Sequence, residues 1–559
     1  MRKRVDTMIK ERIKKLLDNY FTEGVDLGLW TAAAAGSYAV ELPKHASHGD
    51  FSTNMAMLIG GREKKNPREV AALLAEKMNT YNDLFAKVEI AGPGFVNFFV
   101  RDSVWQSVVQ SVCDMGPGYG LSQVGQQKKV LVEFVSANPT GPLSVGHGRQ
   151  AVLGDAIARL LEATGHAVTR EYYYNDAGRQ MRVLGESTRA RYMELLGLDG
   201  AFPDDGYQGE YIYDIARKLI AEKGDSLKDS EDITFIKEKA EQEIFANIAE
   251  TLARLDIKFD NYYNEHSLYE KGLVDDVVSR LREKDLAYDH DGAVWFKTTE
   301  LGQEQDRVII KSSGEPTYRL PDIAYHREKL KRGFDWLVNI FGSDHIATVP
   351  DVLAGIRALG YDDSKVTVVL HQFVTLTREG KQVKMSTRKA NFVTVDELFE
   401  EVGPDVIRFF FLMRKADSQL EFDLDLATKE SQENPVFYVQ YANARLSSIQ
   451  KKAMEKNIAR PPLQEVSLAK LSLPEELKML KALASYPELV ESASLDLAPH
   501  RIIFFLMDLA GQFHSYYNSH LVISDDTALT QARLWLAEAL RIVFHNGLRV
   551  VGLSAPESM

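Results

Sequence analysis

The stretch 130–164 constrains the fold more tightly than any other part of the chain. Val130-Leu-Val-Glu-Phe-Val135 is an apolar run interrupted by one acid, the pattern of a strand covered on both faces of a parallel sheet. A Gly/Pro-bearing loop at 136–148 follows. A helix then runs to about Thr164, with Val152, Ala156, Leu160 and Leu161 inward and Gly165 as its stop. Residues 168–174 supply the next strand. Strand, loop, helix and strand make one half of a doubly wound nucleotide-binding sheet, whose ligand loop is the first connection.

A length of 559 residues implies about three or four domains. Cys113 is the only cysteine, which excludes an internal disulfide and a cysteine-based zinc cluster. His45 and His48 have metal-like spacing, but without further ligands they are assigned to the surface, and no metal site is expected. The start lacks the apolar core of a signal peptide. Runs such as Ile502-Ile-Phe-Phe-Leu-Met507 fall far short of the ~20 apolar residues a membrane span needs. A cytoplasmic protein without membrane contact is expected. The net charge of −13 argues, at face value, against a nucleic-acid partner. The charge is uneven, however. Residues 1–120 carry 15 basic and 14 acidic side chains and residues 431–559 carry 12 and 13, so the excess acidity sits in the middle.

The expected organisation is an N-terminal α+β domain over 1–115, a Rossmann-like domain over 125–390, a helical connector over 391–430 and an all-α helical bundle over 431–559. Val5, Ile9, Ile13, Leu16 and Leu17 predict an amphipathic helix over 5–17. Asn66-Pro67 opens another helix, and Ala91-Gly-Pro-Gly94 turns into a strand over 95–100. Residues 116–125 suit a linker, residues 195–290 a charged helical insertion, and the chain from Thr394 onward is almost wholly helical in pattern.

No Walker A sequence occurs, since Gly380-Lys381 is followed by Gln382, and no Gly-x-Gly-x-x-Gly follows the first strand. Instead, Ser136-Ala-Asn-Pro-Thr-Gly-Pro-Leu-Ser-Val-Gly-His147-Gly resembles the "HIGH" motif of class I aminoacyl-tRNA synthetases, with Ser144 in place of the first histidine. Downstream, Lys384-Met-Ser-Thr-Arg-Lys389 resembles their "KMSKS" loop, with Thr387 in place of the second lysine. The wording of the whole chain is similar to the arginyl-tRNA synthetase family. Ser47-His-Gly-Asp-Phe-Ser-Thr-Asn54 resembles its N-terminal domain, Tyr174-Asn-Asp-Ala-Gly178 and Thr317-Tyr-Arg-Leu-Pro-Asp322 its catalytic domain. Phe437-Tyr-Val-Gln-Tyr-Ala-Asn-Ala-Arg445 and Phe513-His-Ser-Tyr-Tyr517 resemble its helical anticodon-binding domain.

The resemblance implies ligation of arginine to tRNA-Arg through an arginyl-adenylate, with ATP and Mg²⁺, by an enzyme whose relatives are mostly monomers and usually need bound tRNA for activation. It implies ATP at Ala137, Asn138, Pro139, Thr140, Gly141, Pro142, Leu143, Val145, Gly148, Gly342, Asp344, Met385 and Ser386. It assigns catalysis to His147, Ser144, Gly146, Lys384 and Arg388. Glycines 146 and 148 would let backbone approach the phosphates, and the helix N-terminus would offer N–H groups to them. It places arginine at Glu133, Asn138, Tyr318 and Asp322, where carboxylates suit a planar guanidinium, and tRNA at Tyr441, Asn443, Arg445 and Tyr517. Each residue has a plainer reading. Asp322, just after Pro321, suits a helix's first turn, Glu133 suits a partner arginine below the sheet, and Gly342–Asp344 suits a turn at a strand end. Two alternatives stay open: a class I synthetase for another amino acid, and a non-catalytic tRNA-binding paralogue motivated by Ser144 and Thr387.

Overall fold

The structure, a computed structural model, describes residues 9–383 and 393–559. Its centre is a five-stranded parallel sheet formed by β1 (Lys129–Glu133), β2 (Ala167–Tyr174), β3 (Asn261–Asn264), β4 (Trp336–Gly342) and β5 (Val366–His371). The spatial order is β5-β4-β1-β2-β3. The chain runs outward from β1 through β2 to β3, then returns to the other side of β1 for β4 and β5. Connections therefore diverge where β1 and β4 end, and open α/β sheets bind ligands in the crevice at that point. Glu133 lies there, opposite Asn339 of β4.

Helix α1 (Val145–Ala163) joins β1 to β2. Val152, Ala156, Leu160 and Leu161 are fully buried, and so is most of the rest of the helix. Burial on all sides follows from its position between the sheet and two later helices, α3 (Pro404–Leu412) and α5 (Pro474–Leu495). Helix α2 (Arg319–Lys331) lies before β4. The C-terminal bundle consists of α4 (Pro435–Glu455), α5, α6 (His500–Ser519) and α7 (Thr527–Val550).

Local expectations hold where the pattern is periodic and give way where tertiary pairing decides. Asn66 caps a helix over Pro67–Asn79, and Phe95–Val100 is a strand. The first described helix spans Ile9–Asp26 and runs past the expected end at Leu17, because Tyr20 and Gly24 continue its buried face. Residues 116–125 are pinned rather than loose. The Tyr119 hydroxyl donates to Leu483 O at 2.8 Å, and Asn546 Nδ2 donates to Gly116 O and Tyr119 O. The stretch 195–290 is only partly helical: β3 is drawn into the central sheet, and Ala287–His290 pairs antiparallel with Ala293–Phe296. After Thr394 one strand breaks the helical run, Leu420–Asp423, parallel to Val374–Arg378.

Arg408 on α3 ties these parts together from a buried position. Its guanidinium donates to Asp155 Oδ2 of α1 (2.5 Å), Leu255 O (2.7 Å) and Val551 O (3.0 Å). One side chain thus links α1, the C-terminal end of the helix Thr234–Arg254 and the C-terminal bundle. Asp155 is equally buried and also accepts from Arg159 at 2.7 Å. Arg408→Ala leaves that carboxylate short of its main buried donor, which costs about 3–5 kcal/mol for comparable buried pairs. The variant is expected to unfold at clearly lower denaturant concentration, and an unchanged midpoint would show that Arg408 is not the tie described.

Candidate functional site

A cleft of about 750 Å³ opens at the β1/β4 divergence, lined on one wall by Ser144–His147 and on the other by Glu133, Asp322 and Glu265. The sequence builds the first wall by turning sharply after β1. Val135 (φ 69°) and Ser136 (φ 46°) are both left-handed, a costly conformation for a β-branched residue and one that clusters at ligand sites. The turn brings Ser136 Oγ within 3.1 Å of Glu133 Oε1, to which it donates.

At the start of α1, Ser144 and His147 form a reciprocal cap. Ser144 Oγ accepts from the His147 backbone N–H (3.3 Å), and the Ser144 N–H donates to His147 Nδ1 (3.3 Å). The residue standing for the family's first histidine is therefore the helix N-cap. With Nδ1 accepting, the neutral imidazole carries its proton on Nε2. Burial holds the His147 pKa below its ordinary value, while the Asp344 charge pulls weakly the other way. Across the cleft His371 is likewise held neutral by burial, its pKa lowered to about 4. The segment that follows the KMSKS-like loop is stitched to the same wall. Val145 N–H donates to Val393 O, Val395 N–H donates to Leu143 O, and Ser144 bridges Thr394. Buried Arg149 adds bonds to Gln372 O, Lys415 O and Ser418 O.

The second wall gathers three carboxylates. Glu133 is paired with Lys329, a lysine with no solvent exposure, whose Nζ also donates to Asn339 Oδ1 (2.9 Å) and lies 4.1 Å from the Tyr325 ring. The partner is a lysine on α2, not the arginine of the plainer reading. Asn339 meets His326 Nε2 at 2.9 Å, and His326 Nδ1 lies 2.8 Å from Asp322 O. Asp322 is raised to about 7, first by burial and then by the charges of Glu133 and Glu265, with Lys329 opposing. Glu265, just beyond β3, accepts from the Tyr173 hydroxyl (2.8 Å) and Asn175 Nδ2 (2.9 Å), and burial raises its pKa too. Tyr318 is 80% exposed at the rim.

Of the expected ATP residues, Asn138, Val145, Gly342 and Asp344 line the cleft, as do Ser144, Gly146 and His147. Ala137, Pro139, Thr140, Gly141, Pro142, Leu143 and Gly148 do not. Ala137 and Leu143 are buried, Thr140 O accepts from the Tyr211 hydroxyl, and Gly141 packs against the same ring. The two motif glycines separate. A Cβ on Gly148 would stand 2.7 Å from Val395 Cγ2 and 3.2 Å from Phe411, so packing alone is enough to require a glycine there. A Cβ on Gly146 would meet only Ser144 Oγ, at 3.6 Å, and its N–H has no acceptor among the described residues. Lys384, Met385, Ser386, Thr387, Arg388 and Lys389 lie outside the described residues. In the bundle, the Arg445 guanidinium sits over the rings of Tyr441 (4.4 Å) and Tyr517 (5.1 Å). Asn443 is 1% exposed and donates to Pro556 O, so it holds the C-terminal tail instead of facing a partner.

Glu265, Tyr173 and His371, which line the cleft, and Lys329, buried behind Glu133, are groups that sequence reasoning passed over. Lys329 falls on the buried side of α2 at a spacing of seven from Asp322, the one available signal. Glu265 had none, because β3 is four residues long inside a charged, helical stretch. The two glycines yield opposite expectations. Gly148→Ala should lower stability by about 1–3 kcal/mol through overpacking. Gly146→Ala should be neutral or stabilising in unfolding experiments, yet raise the ATP KM. A Gly146→Ala enzyme with unaltered ATP kinetics would show that the nucleotide does not approach the backbone closely at that position.

Residues 110–408 match the family described as "tRNA synthetases class I (R), catalytic domain". Residues 3–100 match "Arginyl tRNA synthetase N terminal domain", and residues 439–559 match "DALR anticodon binding domain". An arginine–tRNA ligase from Desulfotalea psychrophila is 64% identical over 99% of this chain and all of its own length. One from Syntrophotalea carbinolica is 45% identical over 99% of this chain and all of its own length. The Thermus thermophilus arginyl-tRNA synthetase structure superposes with a TM-score of 0.72 at 22% identity, covering 94% of this chain and 96% of that one, which speaks for the fold. With all three domain patterns in order and near-complete relatives of this similarity, the chain belongs to the class I arginyl-tRNA synthetases.

Proposed function

We propose that this chain activates arginine on ATP in the β1/β4 cleft and transfers it to tRNA-Arg, with the following roles. The arginine carboxylate attacks the α-phosphorus in line as the bond to pyrophosphate breaks, giving arginyl-adenylate. The 2′-hydroxyl of the terminal ribose then attacks the acyl carbon, and AMP departs. No protein nucleophile enters either step, so the chain contributes positioning and charge stabilisation.

His147, neutral with its proton on Nε2, donates that N–H to phosphate oxygens as charge moves onto them, and the free amide of Gly146 adds a second donor. Lys384 and Arg388 are assigned to the departing phosphates from the sequence motif. Mg²⁺ would arrive on the ATP phosphates. Among the described residues there is no group of three or more His, Cys, Asp or Glu that could hold a metal ion. Asp322 and Glu133 face the guanidinium, with Asn138 and Tyr318 beside them. Tyr441, Arg445 and Tyr517 form a stacking surface for an anticodon base. A monomer and a cytoplasmic setting are proposed from the family resemblance. Among the described residues no helix is long and apolar enough to cross a membrane.

The observation that carries the assignment of arginine is Asp322. A carboxylate raised to about 7 by burial and two neighbouring acids is poised for a permanent cation. A guanidinium stabilises its charged form, so arginine binding lowers the Asp322 pKa. Affinity is then complete above about pH 7 and is lost as pH falls, by about tenfold per unit until the lowered value is reached. ATP–pyrophosphate exchange with tRNA-Arg present is expected to show this acid limb in kcat/KM for arginine. Asp322→Asn should abolish the limb and raise the arginine KM more than it lowers kcat. Exchange as fast with lysine as with arginine, or a flat profile from pH 5.5 to 8, would contradict the assignment.

A further inference from the structure

The cleft has two unlike halves. Toward β1, β2 and β3 it is acidic, and that side holds the groups assigned above to arginine. Toward β4 and β5 it is largely apolar, lined by Phe341, Phe373, Val374, Leu376 and Val393. A guanidinium belongs with carboxylates, whereas the flat faces of a purine belong between apolar walls. The phosphates are assigned to the start of α1, which follows β1 in the middle of the sheet, so the base of ATP falls in the apolar half.

Within that half His371, the last residue of β5, offers a hydrogen-bonding atom without a partner. It is 7% exposed and pairs in parallel register with Gly342 of β4. Its Nδ1 lies 3.3 Å from Gln372 O. A carbonyl oxygen only accepts, so Nδ1 carries the proton of the neutral ring and Nε2 is left with a lone pair. Nε2 has no hydrogen-bond partner among the described residues. It faces space kept open by Gly342, where a Cβ would stand 3.9 Å from His371 Nε2 and collide with Asp344 Oδ1. Arg149, whose charge bears on the ring, is engaged by Gln372 O, Lys415 O and Ser418 O.

His147 is set the opposite way, because its Nδ1 accepts from Ser144 and its Nε2 carries the proton. One histidine of the cleft thus donates and the other accepts. A donor suits phosphate oxygens, and an acceptor beside a purine suits an exocyclic amino group. Adenine has such a donor at C6. Guanine has a carbonyl oxygen there, which would meet the lone pair and leave both acceptors unpaired.

We propose that His371 is a specificity-determining residue of the nucleotide site: its Nε2 accepts a hydrogen bond from the 6-amino group of adenine, which favours ATP over nucleotides that lack a donor at that position. The proposal rests on the reading that ATP binds in this cleft.

The test is arginylation of tRNA-Arg by the full-length wild-type and His371→Phe enzymes with three nucleotides. These are ATP, purine riboside 5′-triphosphate, which lacks the 6-amino group, and 2′-deoxy-ATP. Phenylalanine keeps a ring and removes both nitrogens, and Gln372 O retains Arg149 as a donor. The wild-type kcat/KM is expected to be about tenfold lower with the purine analogue than with ATP, the scale of one hydrogen bond whose protein acceptor is left unpaired. In His371→Phe the two should be used within about twofold of each other, through a higher ATP KM and an unchanged arginine KM. Discrimination against 2′-deoxy-ATP should be the same in both enzymes. Equal use of ATP and the purine analogue by the wild type overturns the proposal, whether or not the variant folds. So does a preference of undiminished size in His371→Phe, or a variant that loses its discrimination against 2′-deoxy-ATP instead, since the histidine would then face the ribose. A wild-type enzyme that arginylates no tRNA with ATP removes the functional reading itself, so the two failures are distinguishable.

Discussion

The buried ammonium of Lys329 is the group on which the acidic wall of the cleft depends. Three carboxylates converge at the C-terminal ends of the strands, and unpaired charges in such a setting are pushed toward neutrality or force the wall apart. Lys329 pairs with Glu133, donates to Asn339 and rests on the face of Tyr325, so it is compensated in turn although it is wholly out of water. Asn339 passes the arrangement to His326, which lies against the backbone carbonyl of Asp322. Burial and the Lys329 charge hold His326 far below its ordinary pKa, at about 3, so it remains a neutral spacer and adds no second cation. One salt bridge beneath the sheet therefore leaves Asp322 and Glu265 as the acids available to a cationic substrate.

The opposite wall depends on backbone as much as on side chains. The motif loop and the chain emerging from the lysine-rich loop are joined by Val145 to Val393, Val395 to Leu143 and the Ser144–Thr394 bridge. The chain resuming at Val393 is thereby tied directly to the motif loop. Ser144 is central to this joint, because it also caps α1 and orients the His147 ring. Serine is one of the preferred residues for a helix N-cap, and Ser144 fills that role here.

Much of this was legible in the sequence, for identifiable reasons. The apolar run before Glu133 and the 3.6-residue spacing of Val152, Ala156 and Leu160 gave the strand–loop–helix unit, because both patterns are local. The motif loop located the cleft for the same reason. Non-local pairing was not legible. Nothing around Asn261-Tyr-Tyr-Asn264 announces a strand, since a four-residue edge strand is defined by its partner β2 and not by its own periodicity. Glu265 was hidden with it. The motif glycines look alike in one dimension, yet Gly148 answers to Val395 and Phe411, more than two hundred residues away, and Gly146 to the open cleft. Asn443 belonged to a fragment with RNA-facing neighbours, but its phase on α4 turns it inward, toward the tail at Pro556. Net charge was the weakest guide, for it concealed the fact that the acidity is concentrated in the block that holds these carboxylates.

On the proposed assignment, Asp322 gives up a proton as the guanidinium arrives. Calorimetric titration of the enzyme with arginine, in buffers of differing ionisation enthalpy, counts that proton directly. With Asp322 raised to about 7 in the free enzyme, binding at pH 6.5 should release a substantial fraction of a proton per site, and binding at pH 8.5 much less. Proton release that is absent at pH 6.5, or equal at the two pH values, would contradict the account.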